Sequence, residues 1–117
     1  MPESQYRGRI EVSSTAIASI VNEAVRTCYG VVGVAPKDLV TGIANVLSRD
    51  SKRGIDVHVE DGEITIDVYV IIEYGTRIAA VARSVMNVVK FSVERALGIP
   101  VAEVNVHVER LHISDAD

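Results

Sequence analysis

The sequence has 117 residues, a length that suits one domain and can bury a hydrophobic core without disulfides. Apolar residues make up 48 % of it and aromatic residues only 4 %, so the core must be aliphatic. The formal charge of −4 argues against nucleic acid as the main partner, because phosphate binding needs a basic surface. One Cys excludes an internal disulfide and predicts a cytoplasmic protein. No apolar run approaches the roughly 20 residues that span a bilayer, so membrane insertion is not expected.

The N-terminal part predicts one amphipathic helix. Residues 1–9 are polar and expected to be flexible, and 10–12 fit a short strand. Ser13 or Ser14 can cap the helix that follows, in which apolar residues recur at helical spacing from Ile17 to Cys28. Cys28 lies on that apolar stripe, which predicts a buried thiol, and Gly30 is placed to end the helix.

The next stretch, GVVG at 30–33, has two interpretations. It has the outline of the loop with which KH domains clamp a nucleic-acid backbone, but its central residues are Val rather than cations. The favoured interpretation is a helix stop followed by a strand over 31–34. Pro36 suits the start of a second helix through Leu47. The connector SRDSKRG, 48–54, is the most basic local stretch and fits a solvated loop or a contact to an acidic partner or lipid headgroups.

The middle of the chain predicts a β-hairpin. Alternating residues over 55–60 and 63–74 flank Asp61-Gly62, a strong hairpin turn signal. Gly75-Thr76 then opens a long helix, with Thr76 as the expected cap, and Gly98 and Pro100 end it. The last strand is predicted over 101–110, with a bulge or strand end where the alternation breaks at Leu111.

The predicted order β-α-β-α-β-β-α-β indicates an α+β fold. We expect a two-layer sandwich in which a mixed β-sheet has its helices packed on one face. Clean alternation in the long strands leaves the other face to water or to another chain. Residues 10–113 are predicted to form one domain, with 114–117 as a tail.

The tetrad VHVE occurs twice, at 57–60 and at 106–109, within the runs IDVHVE and EVNVHVE. Because side chains alternate along a strand, His58, Glu60, His107 and Glu109 should all lie on the open face of the sheet. If the two strands were neighbours, these side chains could bind a divalent metal ion. The favoured interpretation is that they form a solvated or partner-facing surface, and no metal site is expected.

Enzyme signatures are absent from the sequence. There is no nucleophile-elbow, phosphate-loop or dinucleotide-binding motif, so neither catalytic nor cofactor-binding residues are predicted, and no cofactor is expected. The helix start at Gly75-Thr76-Arg77 could bind an anion, although a capping role is favoured. The predicted interaction surfaces are the open sheet face and the outer side of the long helix. Their candidate residues are Asp67, Tyr69, Glu73, Arg83, Lys90 and Phe91.

The ordered segments together resemble a known family. GRIEVSSTAIASIVNEAV, CYGVVGVA, KRGIDVHVEDGEITIDVYVIIEYGTRI and VAEVNVHVERL are similar to segments of the alkaline shock protein family, also called the Gls-type family. The resemblance covers residues 7–111, and its most specific segment is IDVYVIIEYGT leading into the long helix. The chain resembles the compact subgroup, which lacks long charged tails.

The resemblance implies a small, cytoplasmic, non-enzymatic bacterial protein of the general or envelope stress response. It implies a scaffold or regulator in cell-envelope and lipid homeostasis. Such a protein would self-associate and contact envelope or lipid-metabolism proteins, sitting near the membrane through a partner. The family supplies no catalytic or metal-binding residues to carry over. The alternatives from the residues alone are a metal- or small-ligand-binding protein and, less favoured, a KH-like nucleic-acid binder.

Overall fold

The computed structural model describes residues 8–35 and 54–114, which form two helices and four strands. The predicted helix after Pro36 and the basic connector 48–53 lie outside the described residues. In chain order the elements are α1 (Ser14–Arg26), β1 (Val31–Val34), β2 (Ile55–Glu60), β3 (Glu63–Glu73), α2 (Ile78–Leu97) and β4 (Glu103–His112).

The sheet is mixed and is organised around β3. β4 runs parallel to β3 and pairs with it from Thr65 to Glu73. β1 and β2 are both antiparallel to β3, and they pair with its second half and its first half, respectively. A strand has only two edges, so β1 and β2 share one edge of β3 and β4 occupies the other.

The junction between β1 and β2 lies at one residue of β3. The backbone N–H of Tyr69 donates to the carbonyl oxygen of Gly54 at 2.9 Å, and its carbonyl oxygen accepts from Ala35 N–H at 2.7 Å. The ends of β1 and β2 therefore meet there, and the two short strands together complete one edge of β3.

Both described helices pack on one face of this sheet, which confirms the predicted two-layer α+β architecture. The alternation of β3 places Ile64, Ile66, Val68, Val70 and Ile72 in the core. α1 contributes Ile17, Val21 and Val25, and α2 contributes its valines at spacing four from Val81 to Val93. Each such side chain stabilises the fold by roughly 1.5–3 kcal/mol when fully buried. A core of aliphatic side chains can therefore stabilise the fold without aromatic residues.

The ends of the elements follow local chemistry. Ser13 caps α1 by accepting a hydrogen bond from Ala16 N–H at 3.1 Å, as expected. Asp61 and Gly62 both adopt positive φ, the conformation of the predicted tight hairpin turn. Gly98 ends α2 in the left-handed region, with its N–H bonded to the carbonyl of Glu94.

Two expectations about local structure were wrong. The short strand predicted at 10–12 does not form, and the side chain of Ile10 is 93 % exposed rather than packed on the sheet. Thr76 does not cap α2; its hydroxyl donates to the carbonyl of Glu73, and Arg77 precedes the helix without a side-chain cap. The predicted bulge in β4 is present, but it lies between Val108 and Arg110 rather than at Leu111, which returns to register opposite Ile72.

The KH-like interpretation of GVVG is also wrong. Gly30 lies in the turn after α1 with φ +88°, but residues 31–34 form β1 and pair with β3. A strand whose backbone groups are bonded in a sheet is not the free loop that would clamp a nucleic-acid backbone.

Gly54 and Gly62 give a matched test of the strand junction. Both have φ near +76°, but a Cβ on Gly54 would lie 1.9 Å from the carbonyl oxygen of Ala35, whereas nothing lies within 4 Å of one on Gly62. We expect Gly62→Ala to lower the free energy of unfolding by about 1 kcal/mol, from backbone strain alone. Gly54→Ala should cost at least about 3 kcal/mol, because backbone must move as well. Urea unfolding followed by circular dichroism measures both, and equal losses would contradict this account of the junction.

Candidate functional site

The open face of the sheet carries a cluster of polar side chains centred on Asp67. Register places Asp67 in the middle of β3, opposite Asp56 of β2 on one side and Asn105 of β4 on the other. Its neighbours on the same face of β3 are Thr65 and Tyr69, and all three are half-buried. The cluster is therefore built from three adjacent strands, and its positions follow from the pairing of β3.

Asp67 accepts hydrogen bonds from β4. The Nδ2 amide of Asn105 donates to Oδ1 of Asp67 at 3.1 Å, and Nε2 of His107 lies 3.0 Å from the same oxygen. The ring of His107 also stacks on the ring of Tyr69, with centroids 4.4 Å apart and planes inclined by 14°. Hydrogen bonding and stacking together fix the orientation of the His107 ring.

His58 approaches Asp67 from the opposite strand. Its Nε2 lies 3.7 Å from Oδ2 of Asp67, and its side chain is 62 % exposed. The structure thus brings the histidines of both VHVE tetrads to one carboxylate, although their strands are separated by β3. They meet at Asp67 rather than at each other.

The other two tetrad residues lie elsewhere. Glu60 ends β2 opposite Glu63, beside the hairpin turn, and Glu109 is the extra residue of the β4 bulge. Within residues 8–35 and 54–114, no three His, Cys, Asp or Glu side chains are arranged to hold a metal ion. The metal-ligand set of His58, Glu60, His107 and Glu109 is therefore not assembled.

Asp67 and Tyr69 of the predicted interaction surface belong to this cluster, and Glu73 lies farther along β3. Glu73 accepts a hydrogen bond from the hydroxyl of Ser114 at 2.7 Å. The alternation of the sequence predicts that Asp67 and the two histidines share one face of the sheet. It does not predict their convergence or the hydrogen bond from Asn105, because both depend on the order of the strands.

The remaining surface candidates lie on the outer side of α2. Arg83, Lys90 and Phe91 are all exposed there. The guanidinium carbon of Arg95 lies 5.8 Å from the centre of the Phe91 ring, within cation–π range. At the start of α2, Arg77 and Thr76 line a groove of about 450 Å³ with Tyr29. Anion binding at this helix start, the less favoured alternative to capping, is not tested by this geometry.

Cys28 lies in the core layer, away from both surfaces. It is 8 % exposed, and its thiol donates to the carbonyl of Ala24 at 3.6 Å. Burial raises the pKa of the Cys28 thiol, and a hydrogen bond with Thr27 opposes this only in part. The thiolate, which is the reactive form, is therefore disfavoured in the folded protein.

The burial of Cys28 predicts slow thiol chemistry. We expect Ellman's reagent at pH 8 to react at least about 100-fold more slowly with the native protein than with the protein in urea. Because folding raises the pKa of the thiol, the unfolded chain ionises first and stability falls as pH rises above about 9. Cys28→Ala should show a smaller alkaline loss of unfolding free energy. Rapid labelling of the native thiol would contradict its placement.

The contacts of Asp67 with His107 and with His58 differ in distance and in solvent exposure, so their interaction energies should differ. A double-mutant cycle with Asp67→Ala and His107→Ala should give a coupling of about 0.5–1.5 kcal/mol at pH 7, typical of a partly buried hydrogen bond. The matched cycle with His58→Ala should give less than about 0.5 kcal/mol, because that pair is longer and more exposed. Urea unfolding of the single and double variants measures both, and equal couplings would contradict the geometry.

Comparisons with known proteins agree with the fold and identify the family. Residues 2–113 match the model of the alkaline shock protein family, which is described as having a cell envelope-related function. YloU of Bacillus subtilis (strain 168) is 36 % identical over 110 residues, which cover 92 % of each chain. A stress response regulator gls24 homolog of Streptococcus pyogenes serotype M3 is 26 % identical over 106 residues, covering 90 % of this chain and 59 % of the homolog.

A solved structure with the same arrangement is a zinc form of the MamM CTD. Its TM-score is 0.54 at 14 % identity, and the match covers 88 % of this chain and 91 % of that one. At this identity the likeness extends to the fold alone. The match over nearly the whole sequence, together with the relative at 36 % identity, shows that the chain belongs to the alkaline shock protein family, the Gls24-like proteins with a cell envelope-related function.

Proposed function

We propose that this protein is a non-enzymatic scaffold or regulator of the envelope stress response. It acts in the cytoplasm through contacts with itself and with proteins of the cell envelope or of lipid metabolism. Two relationships support the proposal. The family has a cell envelope-related function, and a relative at 26 % identity is named as a stress response regulator homolog.

The open face of the sheet is the observation that carries this proposal. From Thr65 to Glu73, alternate side chains of β3 are half-buried rather than enclosed, and polar side chains from β2 and β4 flank them. Hydrogen bonds and stacking hold Asp67, His107 and Tyr69 in fixed orientations before any partner arrives. A broad, ordered surface of this kind suits the binding of another protein, since preorganised side chains lose little conformational entropy on binding.

The outer side of α2 is the second surface offered to partners. Phe91 is 60 % exposed on a twenty-residue helix that also presents Arg83 and Lys90. Aromatic and Arg side chains are enriched at protein interfaces, so this surface fits a protein contact. Over residues 8–35 and 54–114, no helix is long and apolar enough to cross a membrane. In our proposal, a position near the membrane comes from a partner.

Site-specific photo-crosslinking in the producing bacterium tests the proposal. Benzoylphenylalanine would replace Ile71, which is half-buried on the open sheet face, or Phe91 on α2. Crosslinked species would be identified by mass spectrometry after separating cytoplasmic and membrane fractions. We expect both positions to capture a small, reproducible set of envelope or lipid-metabolism proteins, or further copies of this chain.

The control places the same probe at Glu11, an exposed residue in the segment before α1. Proteins that are also captured by the probe at position 11 reflect cellular abundance rather than recognition, and they are removed from the lists for Ile71 and Phe91. The proposal fails if neither Ile71 nor Phe91 captures anything that Glu11 does not, while circular dichroism shows that the labelled proteins are folded.

A further inference from the structure

We infer that copies of this protein stack head to tail, with the open sheet face of one copy docking on the outer side of α2 of the next. This inference rests on the self-association in the proposed function and names the two surfaces that meet. It is carried by the distribution of charge between the two layers of the fold.

The open sheet face is strongly acidic. Neither β2 nor β3 contains Lys or Arg, and all of their carboxylates lie on this face, although that of Asp56 is buried. β4 adds Glu103 opposite Thr65 and a single cation, Arg110, opposite Ile71, whereas its second carboxylate, Glu109, is the extra residue of the bulge. We call this surface the acidic face, and the carboxylates that reach its surface are Glu60, Glu63, Asp67, Glu73 and Glu103. Asp67 and Glu73 already accept hydrogen bonds within the chain, whereas no such bond reaches the other three from the described residues.

The outer side of α2 has the opposite charge. The helix and the residue before it carry four exposed cations and a single acid, Glu94. The carboxylate of Glu94 accepts a hydrogen bond from Val101 N–H at 2.9 Å and lies 3.9 Å from the Lys90 ammonium. It is therefore already engaged within the chain. We call this surface the basic face, and its cations are Arg77, Arg83, Lys90 and Arg95.

Each face also has apolar area near its centre. On the basic face, Phe91 is 60 % exposed beside Arg95. On the acidic face, Tyr69 and Ile71 lie half-buried along β3. Aromatic and apolar side chains within a charged surround are the usual composition of a protein interface.

The two faces cannot neutralise each other within one chain, because they lie on opposite layers with the hydrophobic core between them. A second copy, by contrast, can place its basic face against the acidic face of the first copy, or its acidic face against the basic face. Contact between two different faces is heterologous, so every added copy leaves one acidic and one basic face free. The arrangement therefore extends into a chain of copies or closes into a ring.

An anionic lipid surface is the competing occupant of the basic face. Each Lys or Arg strengthens attraction to such a membrane by roughly fivefold, so four cations alone give weak binding. The protein also has a formal charge of −4, which opposes its approach to a negative surface. The acidic face of another copy meets the same cations with its own set of carboxylates and an apolar centre, so the observations favour the second copy.

Sedimentation velocity with two charge-reversal variants tests the inference. The sheet variant carries Glu73→Lys and Glu103→Lys, and the helix variant carries Arg83→Glu and Lys90→Glu. At about 50 mM salt the unaltered protein should form species larger than a dimer, which shrink at about 500 mM as charge is screened. Each variant alone should associate at least about 100-fold more weakly, because like charges then face each other.

Mixing the two variants distinguishes this arrangement from a symmetric dimer. The helix variant retains the acidic face and the sheet variant retains the basic face, so one unaltered contact forms between them. The two reversed faces are also opposite in charge, so mixing should restore the assembly that neither variant shows alone. A symmetric interface would not be restored in this way. The control variant Arg9→Glu reverses an exposed charge in the segment before α1 and should assemble normally.

The inference is overturned if the unaltered protein is monomeric at about 100 µM and low salt, or if a dimer persists in both variants. It is also overturned if the basic face binds phosphatidylglycerol vesicles while no self-association occurs. The proposed function fails separately, when crosslinking at Ile71 and Phe91 captures nothing specific. A monomer that still captures envelope proteins would refute the stacking and leave the scaffold role standing.

Discussion

The eleven residues of β3 fix the positions of everything else in the described fold. β3 is long enough to pair with β2 and then β1 along one edge while β4 fills the other. Its alternation puts five aliphatic side chains into the core and leaves the intervening ones on the open face. A slip of one residue would exchange the two sets, so core burial and the surface cluster are specified by the same register.

That register also creates an electrostatic problem on the open face. Asp56 and Asp67 lie directly opposite each other on β2 and β3, an arrangement that is unfavourable for two carboxylates. Asn105 and His107 approach Asp67 from the other side as hydrogen-bond partners, and His58 lies near its second oxygen. These contacts stabilise the carboxylate of Asp67 on the sheet, which gives the cluster a structural role besides any role in binding.

Much of the fold was accessible from the sequence because it depends on local chemistry. The Asp61-Gly62 turn, the Ser13 cap and the Gly98 helix end are each determined by residues adjacent in the chain, and all three were predicted. The strand order was not accessible, because nothing local says on which edge of β3 a strand returns after α2. For the same reason the convergence of His58 and His107 on Asp67 could not be predicted. Thr76 was misassigned because the carbonyl of Glu73 competes for its hydroxyl.

The meeting of Ala35 and Gly54 at Tyr69 has a consequence for how this domain can vary. The two ends of segment 36–53 are anchored by hydrogen bonds to a single residue of β3. β1 and β2 therefore form one nearly continuous sheet edge. The entropic cost of joining two fixed chain ends rises only slowly with the number of residues between them. The sheet should therefore tolerate sequences of different length between Ala35 and Gly54, which makes this junction a natural point for grafting new sequence.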